Sequence, residues 1–111
     1  MLSLDNVKKQ IATALDAGPR PLKVMLFGSF ARGAPREDSD IDLMVILNKE
    51  GKSDTYKAMI SARMDIAKRL RTLRRKYPID ILVYTKDEWE ELKASGSSFI
   101  TKIEQEGVAV L

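Results

Sequence analysis

Apolar residues in the first half of the chain follow helical spacing and then strand spacing. Over residues 4–16 they recur every three or four positions, which is typical of an amphipathic helix, and Ser3 can serve as its N-cap. The Gly-Pro-Arg-Pro run at residues 18–21 ends this helix. Two apolar runs, at residues 22–27 and 41–47, predict strands. The second run is nearly continuous, as expected of a central strand covered on both faces.

The rest of the chain alternates helices with one more strand. A short helix is expected at residues 29–33, and a long one at residues 54–76, which Pro78 ends or follows. Residues 79–84 predict the third strand. This alternation indicates an α/β fold in which a small mixed β-sheet is flanked by helices.

Two further helices and a short tail follow the third strand. Thr85 and Glu88 make a capping box for the first of these helices. Residues 99–105 predict the second, and Gly107 is placed to end it. Residues 108–111 are expected to add an edge strand or to pack over the core.

Composition limits the class of protein. The 111 residues are 44% hydrophobic and 32% charged, which predicts one domain with one core spanning residues 1–111. No apolar run is long enough to cross a bilayer, and no signal-like segment stands at the start. Cysteine is absent, so we expect a cytoplasmic protein without disulfides.

Histidine is also absent, which restricts the chemistry further. Any metal site must use oxygen ligands, and these favour Mg²⁺, Mn²⁺ or Ca²⁺ over Zn²⁺. Proton transfer near neutral pH falls to a carboxylate, a lysine, a tyrosine or metal-bound water.

Paired carboxylates supply the strongest chemical signal. Asp40 and Asp42 are two residues apart at the start of a strand, so their side chains point to the same face and repel unless a cation lies between them. A third acid, Asp80, interrupts an otherwise apolar strand. If the second and third strands are neighbours, the three carboxylates meet, as in a two-metal site. The Gly28-Ser29 turn leaves backbone N–H groups free for phosphates. This combination predicts phosphoryl or nucleotidyl transfer.

These residues resemble a known family. Gly28-Ser29, then ten residues, then Asp40-Ile41-Asp42, with Asp80 on a later strand, is similar to the nucleotidyltransferase fold of the DNA polymerase β superfamily. The full run, Gly-Ser-Phe-Ala-Arg-Gly followed by Ser-Asp-Ile-Asp-Leu, resembles the minimal nucleotidyltransferase (MNT) branch. That branch includes the antitoxins of HEPN/MNT toxin–antitoxin pairs.

The resemblance implies a role for each matched residue. Asp40 and Asp42 would ligate two Mg²⁺ ions, and Asp80 would complete the shell of the catalytic ion and accept the acceptor's proton. Gly28 and Ser29 would hold the β- and γ-phosphates of ATP. Arg32, by its place in the motif, would support the loop or contact phosphate.

The implied reaction is transfer of AMP from ATP to a tyrosine of a HEPN toxin. A chain of this size has little room for an enclosed acceptor pocket, which agrees with an acceptor presented by a partner protein. Two alternatives stay open: an antitoxin that neutralises its partner by binding alone, and a transferase acting on a small-molecule or RNA hydroxyl.

Basic residues between positions 63 and 76 invite a nucleic-acid interpretation. We favour the solvated face of a long helix, because the run lacks the interleaved aromatics of a single-strand platform. A docking face for an acidic protein is a third interpretation. Trp89 is expected to cover the sheet or a partner interface.

Overall fold

The β-sheet at the centre of the fold is mixed. The structure is a computed structural model that describes residues 3–31, 40–49 and 56–111. In chain order its elements are α1 (Leu4–Leu15), β1 (Lys23–Phe27), α2 (Gly28–Ala31), β2 (Ile41–Leu47), α3 (Tyr56–Arg69), α4 (Arg71–Lys76), β3 (Ile79–Thr85), α5 (Lys86–Ala94), α6 (Ser98–Glu106) and β4 (Val108–Ala109). Within these ranges, no helix is both long and apolar enough to span a membrane.

The strand order of the described sheet is β3-β2-β1-β4. β1 pairs antiparallel with both β2 and β4, whereas β2 and β3 are parallel and are joined through α3 and α4. Parallel neighbours need such a helical crossover, because a tight turn can join only antiparallel strands. The predicted α/β fold with a small mixed sheet flanked by helices is confirmed.

Helices cover both faces of the sheet, which explains why β2 is apolar along most of its length. On one face, β1 and β2 pack against buried residues of α1, α3 and α4 and against Leu70 between the last two: Val7, Ile11, Leu15, Ile66, Leu70 and Leu73. On the other face, which we call the α5 face, Met44 and Ile46 pack against Trp89 of α5 and against α6. Of the two expectations for Trp89, the one in which it covers the sheet is confirmed. The Lys23 ammonium lies 5.6 Å from the centre of its ring.

The prediction of one continuous helix over residues 54–76 is wrong. Within the described part of this segment, α3 ends at Arg69, and α4 begins after Leu70, whose φ of −96° and ψ of 7° depart from helical values. Neither glycine nor proline marks this position. We attribute the break to tertiary contacts: Leu70 is fully buried, and the Arg69 guanidinium donates to the Pro19 carbonyl at 2.7 Å.

The last helix ends at Gly107, as predicted, but for a different reason. The backbone of Gly107 has a φ of −71°, so the left-handed geometry common at helix ends is absent here. A Cβ at this position would instead overlap the Ile103 carbonyl and lie 2.8 Å from the Met25 methyl group. Steric crowding, rather than backbone conformation, therefore restricts this position to glycine. β4 follows directly and pairs with β1. Of the two expectations for the tail, the added edge strand is therefore confirmed.

The predicted capping box at the start of α5 is confirmed. The Thr85 hydroxyl accepts a hydrogen bond from the Glu88 amide at 3.2 Å, and the Thr85 amide donates to the Glu88 carboxylate at 2.9 Å. Thr85 is almost fully buried at the end of β3. The cap therefore fixes where the strand turns into the helix that carries Trp89.

We expect Thr85→Ala to lower the free energy of unfolding by about 1 kcal/mol, because the substitution leaves the first turn of α5 without its side-chain acceptor. Chemical denaturation measures the change. Thr85→Ser is the matched control, since it keeps the hydroxyl and removes only the methyl group. Equal losses in the two variants would attribute the effect to the methyl group and contradict the capping argument.

Candidate active site

Two of the predicted acids stand side by side on neighbouring strands. In the parallel pairing of β2 with β3, Asp42 lies directly opposite Asp80. Residues that are paired in this way project from the same side of a sheet, on strands about 4.8 Å apart. Asp40 precedes β2 by one residue and is exposed, as is Asp80, whereas Asp42 is half-buried. The second and third strands are neighbours, so the condition on which the approach of Asp80 to Asp42 depended is met.

The pair lies on the α5 face, at the end where β2 and β3 begin. Asp42 has Phe27 as its partner across the antiparallel pairing with β1, and Met44, two residues further on, is already beneath the helices. The alternation that buries Met44 therefore brings Asp42 to the edge of the same apolar layer. Asp80 is tolerated in an apolar strand because it lies near the start of β3, where its side chain is exposed.

The environment of Asp42 disfavours its negative charge. Burial raises the pKa of its carboxyl above the ordinary value, and the charges of Asp80 and Asp40 raise this pKa further. A cation held between these groups would oppose all three effects. The donor set consists of carboxylate oxygens, which suits hard divalent ions such as Mg²⁺. The residues therefore fit such an ion electrostatically.

The carboxylates do not form a closed metal cage as they stand. Within the described ranges, no group of three or more Asp, Glu, His or Cys side chains is gathered closely enough to hold a metal ion. What the fold brings together is the Asp42–Asp80 pair, with the Asp40 charge acting on Asp42. The assignment of all three as metal ligands stays a prediction.

Gly28 connects β1 to α2 beside this pair. Its φ is +77°, a left-handed conformation that favours glycine, and a Cβ there would overlap a carboxylate oxygen of Asp42. The turn and the acid are therefore in direct contact. Ser29 is part of α2, but its side chain lies outside the described residues, as does all of Arg32.

A pocket of about 180 Å³ opens beside Gly28 and Asp42. Its lining consists of Phe27, Gly28, Asp42, Phe99, Lys102, Ile103 and Glu106. Phe99, Lys102 and Glu106 were not predicted from the sequence as site residues. Phe99 and Lys102 are three residues apart on a short amphipathic helix, which is only a weak indication of a ligand site. Nothing in the sequence shows that α6 packs next to β1.

The basic segment lies around a different surface. Lys68, Arg71, Arg74 and Arg75 are exposed and line a groove of about 480 Å³ that shares no residue with the pocket at Asp42. This exposure agrees with the interpretation of a solvated helix face. Arg69 differs from these residues, since its side chain is only 8% exposed and binds backbone carbonyls at the end of α1 and in the following turn.

The mixed sheet carries acids on two adjacent parallel strands, beside a glycine turn at the end of a third strand. This arrangement is typical of a nucleotidyltransferase-type domain. Residues 9–95 match the family described as Polymerase beta, Nucleotidyltransferase, and the chain belongs to this family. The resemblance to the polymerase β superfamily is thus confirmed. No curated protein sequence matches the chain significantly.

Solved structures share the fold. One, described as a toxin–antitoxin with AMP-PNP, superposes with a TM-score of 0.60 at 21% identity, covering 94% of this chain and 72% of that one. Another, a mutant of the toxin–antitoxin MntA–HpeT, has a TM-score of 0.56 at 16% identity, with 99% and 73% covered. At these identities the likeness concerns the fold.

Gly28→Ala is expected to abolish nucleotide binding and to destabilise the protein, because the added methyl group is strained by the positive φ and also overlaps Asp42. Gly96→Ala is the matched control: Gly96 has a φ of +72° but nothing within 4 Å of an added Cβ. We expect Gly96→Ala to lower the melting temperature without changing Mg-ATP binding, measured by calorimetry. Similar binding losses in both variants would argue against a specific contact at Gly28.

The raised pKa of Asp42 makes stability depend on pH. The folded chain keeps this proton to a higher pH than the unfolded chain, so stability falls as pH rises from the ordinary value of 3.8 through the raised value, and the loss is complete above it. In EDTA at pH 7, Asp42→Asn should therefore melt a few degrees higher than the unmodified chain. Scanning fluorimetry between pH 3 and 8 measures this difference.

Asp5→Asn is the control, because Asp5 is exposed in the first turn of α1, where a negative charge is favourable. We expect no gain in melting temperature from this substitution. A melting temperature for Asp42→Asn that equals or falls below that of the unmodified chain at pH 7 would show that the carboxylate is not strained by its surroundings.

Proposed function

We propose that this chain is a metal-dependent nucleotidyltransferase that transfers AMP from ATP to a tyrosine of a HEPN-type toxin, and so acts as an antitoxin in the cytoplasm. The observation that carries the proposal is Asp42 opposite Asp80, in contact with the Gly28 turn. Membership of the polymerase β nucleotidyltransferase family supports the reaction class. The structural neighbours, described as toxin–antitoxins, one of them with AMP-PNP, support the partner and the nucleotide.

Asp40, Asp42 and Asp80 are the residues that would hold metal. Two Mg²⁺ ions there would neutralise phosphate charge and lower the pKa of the acceptor hydroxyl. The raised pKa of Asp42 supports this assignment, because burial and then the charges of Asp80 and Asp40 disfavour its carboxylate, and a bound cation would relieve both effects. The second structural neighbour supports it too, because that toxin–antitoxin mutant carries two Asp-to-Glu substitutions with the spacing of Asp40 and Asp42.

In the proposed reaction the acceptor's hydroxyl oxygen attacks the α-phosphorus of ATP. A bond forms between that oxygen and the α-phosphorus, the bond from the α-phosphorus to the bridging oxygen breaks, and pyrophosphate leaves with the bonding electrons. The Asp80 carboxylate accepts the hydroxyl proton, and its exposure lets it release that proton to water. Backbone N–H groups at Gly28 and Ser29 hold the β- and γ-phosphates, and Arg32 supports this loop or contacts phosphate.

The shape of the site favours an acceptor carried by another protein. The pocket at Asp42 measures about 180 Å³, which is below the roughly 300–1,000 Å³ of typical small-molecule sites. A nucleotide would therefore leave no enclosed space for a second substrate. An acceptor side chain on a docked partner needs no such space, because the partner positions it.

The test is intact-mass spectrometry of the HEPN protein co-expressed and co-purified with this chain, after incubation with ATP and Mg²⁺. We expect the HEPN protein to gain the mass of one or more AMP units. Asp42→Ala should lower the rate at least a hundredfold, since the carboxylate nearest the turn is lost. Asp16→Ala, which removes an exposed acid at the end of α1, should leave the rate unchanged.

Other outcomes separate the alternatives. If the HEPN protein gains no mass, yet both the unmodified chain and Asp42→Ala neutralise it in cells, the chain acts by binding alone. If label from α-labelled ATP enters RNA, the acceptor is an RNA hydroxyl. In that case, affinity for RNA should fall steeply with salt and on neutralising Arg71, Arg74 and Arg75.

A further inference from the structure

An aromatic ring stands open to solvent beside the acidic pair. Phe99, on α6, is 46% exposed, and its ring meets that of Phe27 edge to face, with centroids 5.8 Å apart and planes at 88°. Such a pair fixes the orientation of the Phe99 ring while leaving much of its surface uncovered. An oriented, accessible phenyl face is suited to stacking on a flat ligand ring.

This ring belongs to the same pocket as the proposed phosphate site. Phe99, Gly28 and Asp42 all line one cavity of about 180 Å³. Among the described residues, Leu22 and Met64 are also large, apolar and exposed, but neither lines that cavity. A ligand whose phosphates lie at the Gly28 turn could therefore reach Phe99 with its other end.

A cation completes the lining. Lys102 is three residues after Phe99, so both side chains project from the same side of α6, and both line the pocket. Within the described residues Lys102 forms no ion pair. A lysine ammonium is a compact charge with three donors, well suited to phosphate oxygens.

We propose that the pocket between β1 and α6 is the nucleoside subsite, in which Phe99 stacks on the nucleobase and Lys102 binds a phosphate oxygen. The inference rests on the proposed function and extends it to α6. The volume has room for one flat ring system rather than a whole nucleotide, which leaves the triphosphate at Gly28 and the carboxylates. The tyrosine ring of an acceptor could also stack on Phe99. Lys102 favours the nucleotide, because a triphosphate carries several negative charges, whereas a tyrosine side chain carries at most one.

Binding of two probes to the full chain tests the subsite. One is α,β-methylene ATP with Mg²⁺, which cannot be cleaved at the reacting bond, and the other is tripolyphosphate with Mg²⁺, which lacks the base. We expect Phe99→Ala to weaken binding of the first probe roughly 5- to 150-fold, as loss of one base–aromatic stack does, and to leave the second unchanged. Lys102→Ala should weaken both.

Two variants control for side effects. Phe99→Trp keeps an aromatic face and should keep the affinity for α,β-methylene ATP, whereas Phe99→Leu keeps apolar volume without the stacking face and should lose it. Leu22→Ala removes an exposed apolar side chain outside the pocket and should change neither affinity. If Phe99→Ala does not fold, Phe99→Leu replaces it in the binding test.

Each contrary result has a defined meaning. Equal weakening of both probes by Phe99→Leu would overturn base stacking. Unchanged affinity for α,β-methylene ATP with slower transfer at saturating ATP would overturn it too, and would assign Phe99 to the acceptor. If the unmodified chain transfers AMP and Phe99→Leu matches it in both binding and rate, the subsite alone is wrong. If the unmodified chain binds neither probe, the subsite and the proposed function both fail.

Discussion

Parallel, in-register pairing of β2 with β3 is the constraint on which the site depends. The pairing sets Asp42 opposite Asp80, and a shift of one residue would send one of the two to the opposite face of the sheet. The register is held by the apolar layers on both faces, because slippage would expose residues such as Met44 and Ile46. Core packing thus holds two like charges close together. The unfavourable environment of the Asp42 carboxylate is tolerated because the sheet leaves this side chain no alternative position.

Most of the fold could be predicted from the sequence, because the signals were local. Apolar runs located the first three strands and helical spacing located nearly every helix, and the capping residues Ser3 and Thr85 fixed where two of the helices begin. The motif also carried the outline of the site. Once β2 and β3 were taken as neighbours, Asp80 had to approach Asp42, and the glycine of the turn had to lie nearby.

What the sequence could not supply was set by contacts distant along the chain. We attribute the break at Leu70 to the burial of that residue and to the bonds from Arg69 to the Leu15 and Pro19 carbonyls, and no nearby residue signals it. Gly107 was predicted from its usual conformational role, yet crowding between the Ile103 carbonyl and β1, at Met25 and Leu26, is what restricts it. The contribution of α6 to the pocket was missed for the same reason, since Phe99 is far from Asp42 in sequence.

The position of α6 along the chain has an evolutionary consequence. The match to the nucleotidyltransferase family ends at residue 95, before α6 begins at Ser98, whereas Gly28, Asp42 and Asp80 all lie inside it. One wall of the pocket therefore lies beyond the stretch that the family match covers, whereas the acids lie within it. A substitution in α6 can alter the shape and charge of the pocket without changing Gly28, Asp42 or Asp80. The two sides of the pocket can in this way change independently of each other.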